Sequence, residues 1–291
     1  MDRIGFESYS ERMTQCLSES NSKWMDYFAV ISDCESILID LADLYSKREP
    51  SRIEDLVALR LSARAFRLTI SGIYIGLSGY PDSVPNIKRT VFEAWSRLLQ
   101  LRMSNDPAFV AFGYLLFSKE REIQSVQSEI DFRRANGLDY ANFESNLTGL
   151  EQQHDNLKQA ALDAGLDPKQ TAVEFRKARI GQLIKEWDYP ELKRFYQVDY
   201  STDCGFVHAS DAASYTFSSI DKDRVLLDLG PSSSPDCLAF AWDVATCLCG
   251  AIAATAEAFG CADIIARSRA LLEVVGHLTD QVYRIIRSPK T

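Results

Sequence analysis

Two polar clusters, far apart in the chain, carry the residue types from which a site can be built. Arg89 and Glu93 stand four residues apart in Arg89-Thr-Val-Phe-Glu93, and Tyr200, Cys204 and His208 recur at i, i+4 and i+8 with Asp211 three residues further on. On a helix the second set forms one stripe bearing a phenol, a thiol, an imidazole and a carboxylate. Asp211 can fix the tautomer of His208 and raise its basicity. Arg89 supplies a phosphate-binding cation, which makes His208, Arg89, Glu93 and Tyr200 the candidate catalytic set. For ligand binding the candidates are Arg89, Glu93, Tyr200, Cys204 and Asp211.

Each cluster also has a plainer reading. Projected at about 100° per residue, Val91, Phe92, Trp95, Leu98, Leu99 and Met103 share one side of their helix, and Arg89 and Glu93 lie away from its centre. Alone, the pair reads as an exposed i,i+4 ion pair worth a few tenths of a kcal/mol. The sharper expectation is that a second helix covers this face. Buried charge must then be satisfied, and Tyr200 and His208 are the natural partners. Contact of Glu93 or Asp211 with the imidazole predicts a His208 pKa above the unfolded value of about 6.5. That stabilisation is complete below the unfolded pKa and is lost as pH rises through the folded pKa. Cys204 reads as a small packing residue, and His208 as a structural histidine near a helix end.

Other arrangements are thinner. Glu151-x-x-His154 is half of a di-iron bundle motif whose second half is missing, because Glu273 and His277 have the wrong spacing. Cys247-x-Cys249 would set its thiols about 200° apart on a helix, poor geometry for a shared zinc. Asp221 and Asp223 fit a turn better than a metal. Nucleotide-binding glycine loops and the nucleophile elbow are absent from the sequence, so neither a metal nor a cofactor is expected. Arg60, Arg64 and Arg67, at i, i+4 and i+7, form a basic stripe that can hold a phosphate. Pairing with acidic residues of neighbouring helices is the more economical reading.

These residues need elements to position them, and the periodicity is helical almost throughout. From Lys23 to Lys47 an apolar face runs through Trp24, Tyr27, Phe28, Ile31, Cys34, Ile37, Leu38, Leu41 and Leu44. Ser51–Leu77 forms a second helix, and a third runs from about Pro85 to Ser104. Asp106-Pro107, Asp167-Pro168 and Ser234-Pro235 each put a capping side chain before a proline, which marks three more helix starts. The sparsely apolar stretch 118–165 reads as a projecting helical hairpin broken at Asn136-Gly137. Residues 214–230 read as a β-hairpin insertion turning at Asp221-Lys-Asp223. Cys237–Cys261 reads as a buried Ala-rich helix, followed by an amphipathic closing helix from about Asp263 to Arg287. The fold class is therefore mainly α: one domain over 1–291, a multi-helix bundle with a small β-hairpin.

Composition bounds the function. A net charge of -9 disfavours non-specific attraction to DNA, RNA or an anionic membrane, although a local basic patch can reverse this. Seven cysteines without a secretory leader read as reduced thiols in a cytoplasmic protein. Asp243 and Glu257 interrupt the one apolar run that would otherwise suggest a membrane span. Trp95, Trp242 and the apolar helices near 237–259 and 271–286 offer more apolar surface than one bundle needs, which predicts a homodimer.

The segments Ile87-Lys-Arg89-Thr-Val-Phe-Glu93 and Tyr196-Gln-Val-Asp-Tyr200-Ser-Thr-Asp-Cys204-Gly-Phe-Val-His208 resemble the markers of an uncharacterised bacterial all-helical family. Those markers are Arg-x-x-x-Glu and Tyr-x-x-x-Ser-x-x-x-His. The resemblance spans about residues 60–260, with Cys204 where members more often carry Ser. It implies distant kinship with the HEPN helical proteins, many of which act in toxin and antiviral systems as ribonucleases or their inactive partners. Such nucleases carry an Arg and a His on one helix with four to six residues between them. Upstream of His154, His208 and His277 those positions hold Leu147, Thr148 and Gly149; Ser201, Thr202 and Asp203; and Ala270, Leu271 and Leu272. The reading is thus a cytoplasmic helical binding or scaffold protein of a defence, toxin or stress system, with a protein or RNA partner. The alternative is a metal-independent ribonuclease using His208 and Arg89.

Overall fold

The computed structural model describes residues 6–77, 84–187, 192–193, 196–197, 218–221, 224–227 and 235–287, and side chains for most of these. Nine helices are assigned among the described residues: α1 (Phe6–Lys47), α2 (Ile53–Leu77), α3 (Val84–Met103), α4 (Pro107–Ala135), α5 (Ala141–Asp163), α6 (Pro168–Lys177), α7 (Ile180–Glu186), α8 (Pro235–Phe259) and α9 (Ala262–Arg287). The chain is mainly helical. Two short strands, β1 (Ser218–Asp221) and β2 (Arg224–Leu227), pair antiparallel with Ser218 opposite Leu227 and Asp221 opposite Arg224. The rest of 214–230 lies outside the described residues.

Helix α8 is the centre of the bundle, packed by α3, α9, α2 and α1. Its small residues make that possible: Ala245, Cys247, Ala251 and Ala256 are fully covered, and neighbouring helices close in on several sides. At Gly250 the approach is tightest. A Cβ there would lie 2.4 Å from Cε2 of Trp95 on α3, so only glycine admits the indole. Polar ties cross the same core. Ser62 of α2 and Thr255 of α8 share a 2.6 Å hydroxyl hydrogen bond, and Glu257 of α8 takes ion pairs from Arg102 of α3 and Arg269 of α9.

Local signals explain the boundaries. Asp106 and Asp167 accept hydrogen bonds from the amides of Phe109 and Gln170 at 2.9 and 2.7 Å, each capping a helix that opens on proline. Gly137, at φ +66°, lets the chain reverse between α4 and α5, and Gly260, at φ +72°, does so between α8 and α9. Helix α5 packs on α4 and, more lightly, on α6. There Phe112, Leu116, Ala161 and Ala172 make a second, smaller core.

Three expectations need correction. Helix α1 begins at Phe6 rather than near Lys23, because no glycine or proline interrupts 6–47 and serines lower helix propensity only modestly. Its buried stripe is also narrower than the apolar pattern implies. Tyr27, Ile31, Cys34, Ile37 and Leu41 are covered, whereas Phe28 and Leu44 are exposed because, among the described residues, the helix packs chiefly on α2, α8 and α9. Met103, at the end of α3, is exposed as well.

Among the described residues no helix is long and apolar enough to cross a membrane. Cys34, Cys247, Cys249 and Cys261 form no disulfide. The Cys34 and Cys249 sulfurs lie 3.7 Å apart in the core, and the contact with Cys34 together with burial pushes the Cys249 thiol well up. Tyr27, edge-on to Trp242 beside them, is likewise pushed up, chiefly by burial.

Candidate functional site

Helix α3 carries the one half of the expected site that can be placed. Arg89 Nε donates to Glu93 Oε1 at 3.2 Å, with side chains 27% and 38% exposed. The pair is half-buried, between the open surface reading and the fully covered one. Arg97 extends it by one further turn, so that a carboxylate stands between two guanidinium groups at i, i+4 and i+8. Arg97 is held firmly: Nη1 donates to Gln100 Oε1 at 2.7 Å and to the Ala178 carbonyl at 3.3 Å, and its guanidinium lies 4.4 Å from the centre of the Phe175 ring. Burial pushes its pKa down from the usual range, and the neighbouring Glu93 carboxylate opposes that shift.

The aromatic side of α3 receives the chain that leads to the second cluster. Tyr196 stacks on Phe92 with ring centres 6.5 Å apart and planes 26° from parallel. Phe92 is fully buried and sits one residue before Glu93. On its other side Tyr196 presses against α7, where a Cβ at Gly181 would fall 2.2 Å from the phenol oxygen. Tyr200, Cys204, His208 and Asp211 lie outside the described residues.

One member of a charged pair that sequence reading did not join lies on the same helix. Lys88 is 2% exposed, and its Nζ is 3.5 Å from Asp243 Oδ2 on α8. The signal was present in the periodicity: at 100° per residue, position 88 falls at the middle of the arc formed by Val91, Phe92, Trp95, Leu98 and Leu99. A lysine inside an apolar arc requires a buried partner. Asp243, inside the apolar run of α8, has the same need, and the packing of α3 on α8 brings the two together.

Elsewhere the candidates separate. His154 lines a cleft of about 390 Å³ between α4 and α5 with Glu120, Glu151, Asp155 and Lys158. Burial and, after it, Lys158 push its pKa down from the usual histidine value. Among the described residues no group of three or more His, Cys, Asp or Glu side chains is placed to hold a metal ion. Arg60, Arg64 and Arg67 are exposed, and the expected interhelical ion pairs are not found among the described residues.

Residues 55–224 match the model of a family of unknown function (DUF5677), more than half of the chain. The chain belongs to this family. No curated protein matches the chain, and no solved structure does. The matched segment opens at Asp55, a fully buried carboxylate of α2 ion-paired to Arg48, and includes α3 with Lys88, Arg89, Glu93 and Arg97. It ends before α8, so Asp243 and the central helix that buries α3 stand outside it.

Proposed function

We propose that this DUF5677 protein is a helical binding or scaffold protein whose ligand site joins Arg89 and Glu93 to the segment bearing Tyr200, Cys204, His208 and Asp211. The observation that carries the proposal is Tyr196 stacked on Phe92, which brings the chain against α3 four residues before Tyr200. Arg89, Glu93 and Arg97 suit an anionic group, a carboxylate or a phosphate, that competes for the two guanidiniums across Glu93. HEPN-like kinship and a place in a defence, toxin or stress system belong to the same proposal and rest on the resemblance of the two marker segments.

Binding is favoured over catalysis because the described half of the site holds charges already oriented by protein partners, which is what ligand recognition requires. The purified protein incubated with RNA tests this. No cleavage is expected. Cleavage that disappears in His208→Ala with an unchanged helical spectrum would establish the ribonuclease instead.

The proposal includes a homodimer, on only part of the surface first expected, the 271–286 helix, together with α1. Trp95, Trp242 and most of α8 are covered within one chain, so they offer nothing to a partner. Phe28, Ile39 and Leu44 of α1 and Val274 of α9 remain exposed. Between these helices a cleft of about 570 Å³ is lined by Val30, Ile37, Leu271 and Val274, with Asp26 and Asp33 on its α1 side. Light scattering giving a monomer mass over a wide concentration range ends this part of the proposal.

A further inference from the structure

Most arginines of the described residues hold a carboxylate: Arg48, Arg102, Arg176, Arg267 and Arg269 are examples. Three successive ones on α2 do not. Arg60, Arg64 and Arg67 face outward in one row about 10 Å long and, among the described residues, have neither an ion pair nor a ring contact. Arg121 and Arg179 also lack a carboxylate among the described residues, but only on α2 do three such arginines share one row. Like charges at i, i+4 and i+7 repel one another, and nothing described within the chain offsets that repulsion.

The rest of that face says what kind of anion fits. Among the α2 residues whose side chains are described, the other exposed ones are Ala63 and Ser71, while Leu59, Phe66, Leu68 and Ile70 pack against the core. Protein interfaces admit arginine but build their buried core from aromatic and apolar side chains, which the described exposed residues of this row do not supply. A nucleic-acid backbone needs the opposite, a polar and positive surface whose arginines meet phosphates. Overall negative charge disfavours a duplex, with its dense phosphates, more than a single strand. At physiological salt, charges farther than about 8 Å away are largely screened, so the row governs contact at close range.

We propose that the Arg60, Arg64 and Arg67 face of α2 binds the phosphate backbone of a single-stranded nucleic acid. Three phosphates neutralised on a single strand give a salt slope of about -2, that is, about 20-fold weaker binding at 200 mM than at 50 mM salt. The test is fluorescence anisotropy of a labelled 12-nucleotide oligouridylate titrated with the full chain, repeated with oligothymidylate and with polyglutamate. Saturable binding of both oligonucleotides assigns the site to phosphate. Binding of the RNA alone adds the ribose hydroxyl. Arg60→Gln, Arg64→Gln and Arg67→Gln together are expected to weaken binding at least tenfold without changing the helical spectrum, since all three side chains are exposed. Arg134→Gln, an exposed arginine of the α4–α5 hairpin, is the control and leaves binding unchanged. Absence of saturable oligonucleotide binding at 50 mM salt, equal affinity in the triple variant, or binding of polyglutamate in preference to both oligonucleotides overturns the proposal.

Discussion

Removing Lys88 alone is expected to cost far more than removing it together with Asp243. The two charges sit 3.5 Å apart with side chains 2% and 8% exposed. At that distance and an effective dielectric of 20, their attraction is about 5 kcal/mol, set against a desolvation penalty of several kcal/mol for each ion. The net value of the intact pair is therefore small. Lys88→Met, however, removes the Lys88 charge from beside the buried Asp243 carboxylate, and the expected loss is about 3–5 kcal/mol. Lys88→Met with Asp243→Leu removes both charges and should regain most of that stability, so the coupling between the sites should be about 2–4 kcal/mol.

The assay is urea unfolding followed by both far-ultraviolet circular dichroism and tryptophan fluorescence, so that coincident transitions justify a two-state treatment. For a chain of this size the single variant should also melt lower, by about 6–10 °C at roughly 2 °C per kcal/mol. A single-variant loss below about 1 kcal/mol, or a double variant no more stable than Lys88→Met, would refute the reasoning. Either result would mean that Lys88 reaches water or another anion, and that the α3–α8 seam is not held to one register by this pair.

Gly250→Ala places a methyl 2.4 Å from the Trp95 ring and should destabilise by about 1–3 kcal/mol, with altered tryptophan emission, because the α3–α8 seam must open. Unchanged stability would mean that the indole has space to move. Gly181→Ala, whose methyl would meet the Tyr196 hydroxyl at 2.2 Å, should shift the ring off Phe92 and lower affinity for any ligand of the α3 site while leaving the global melt nearly unchanged; equal affinity would detach Tyr196 from that site. His154 should titrate below about 6.5 by NMR, and Lys158→Gln should raise its pKa part of the way back. Because the folded pKa is depressed, the associated stability is present above the unfolded value and lost as pH falls through the folded one. His154→Gln should therefore make the protein less sensitive to acid in that window, and an unchanged pH profile of melting would count against the assignment.

Much of the fold was legible because its punctuation is local. Aspartate before proline fixes where α4 and α6 begin, and the same pattern with serine precedes α8; these cues need nothing from the rest of the chain. The start of α1 was not legible, since a Ser-rich polar stretch has neither a stop signal nor an apolar face to declare it helical. The exposure of Phe28 and Leu44 was equally hidden. An apolar stripe shows which face can be buried, and only the number of neighbouring helices decides how wide a strip actually is.

The site divides along the same line. Arg89 and Glu93 were visible as a pair, and their half-buried state follows from tertiary packing that no spacing rule contains. Lys88 and Asp243 were each visible as a charge in an apolar run. They are separated by 155 residues, and pairing them requires knowing that α3 lies on α8. Arg97 shows the limit most clearly, since its neighbours on α3, Glu93 and Gln100, are sequence-local, whereas Phe175 and the Ala178 carbonyl arrive from the far side of the α4–α5 hairpin. Local chemistry nominates charged residues, and the cost of burying charge selects which of them must meet. The Arg60 row inverts that rule: its guanidiniums were expected to find carboxylates within the chain, and among the described residues they stand exposed without one, which is the ground for proposing an anion from outside.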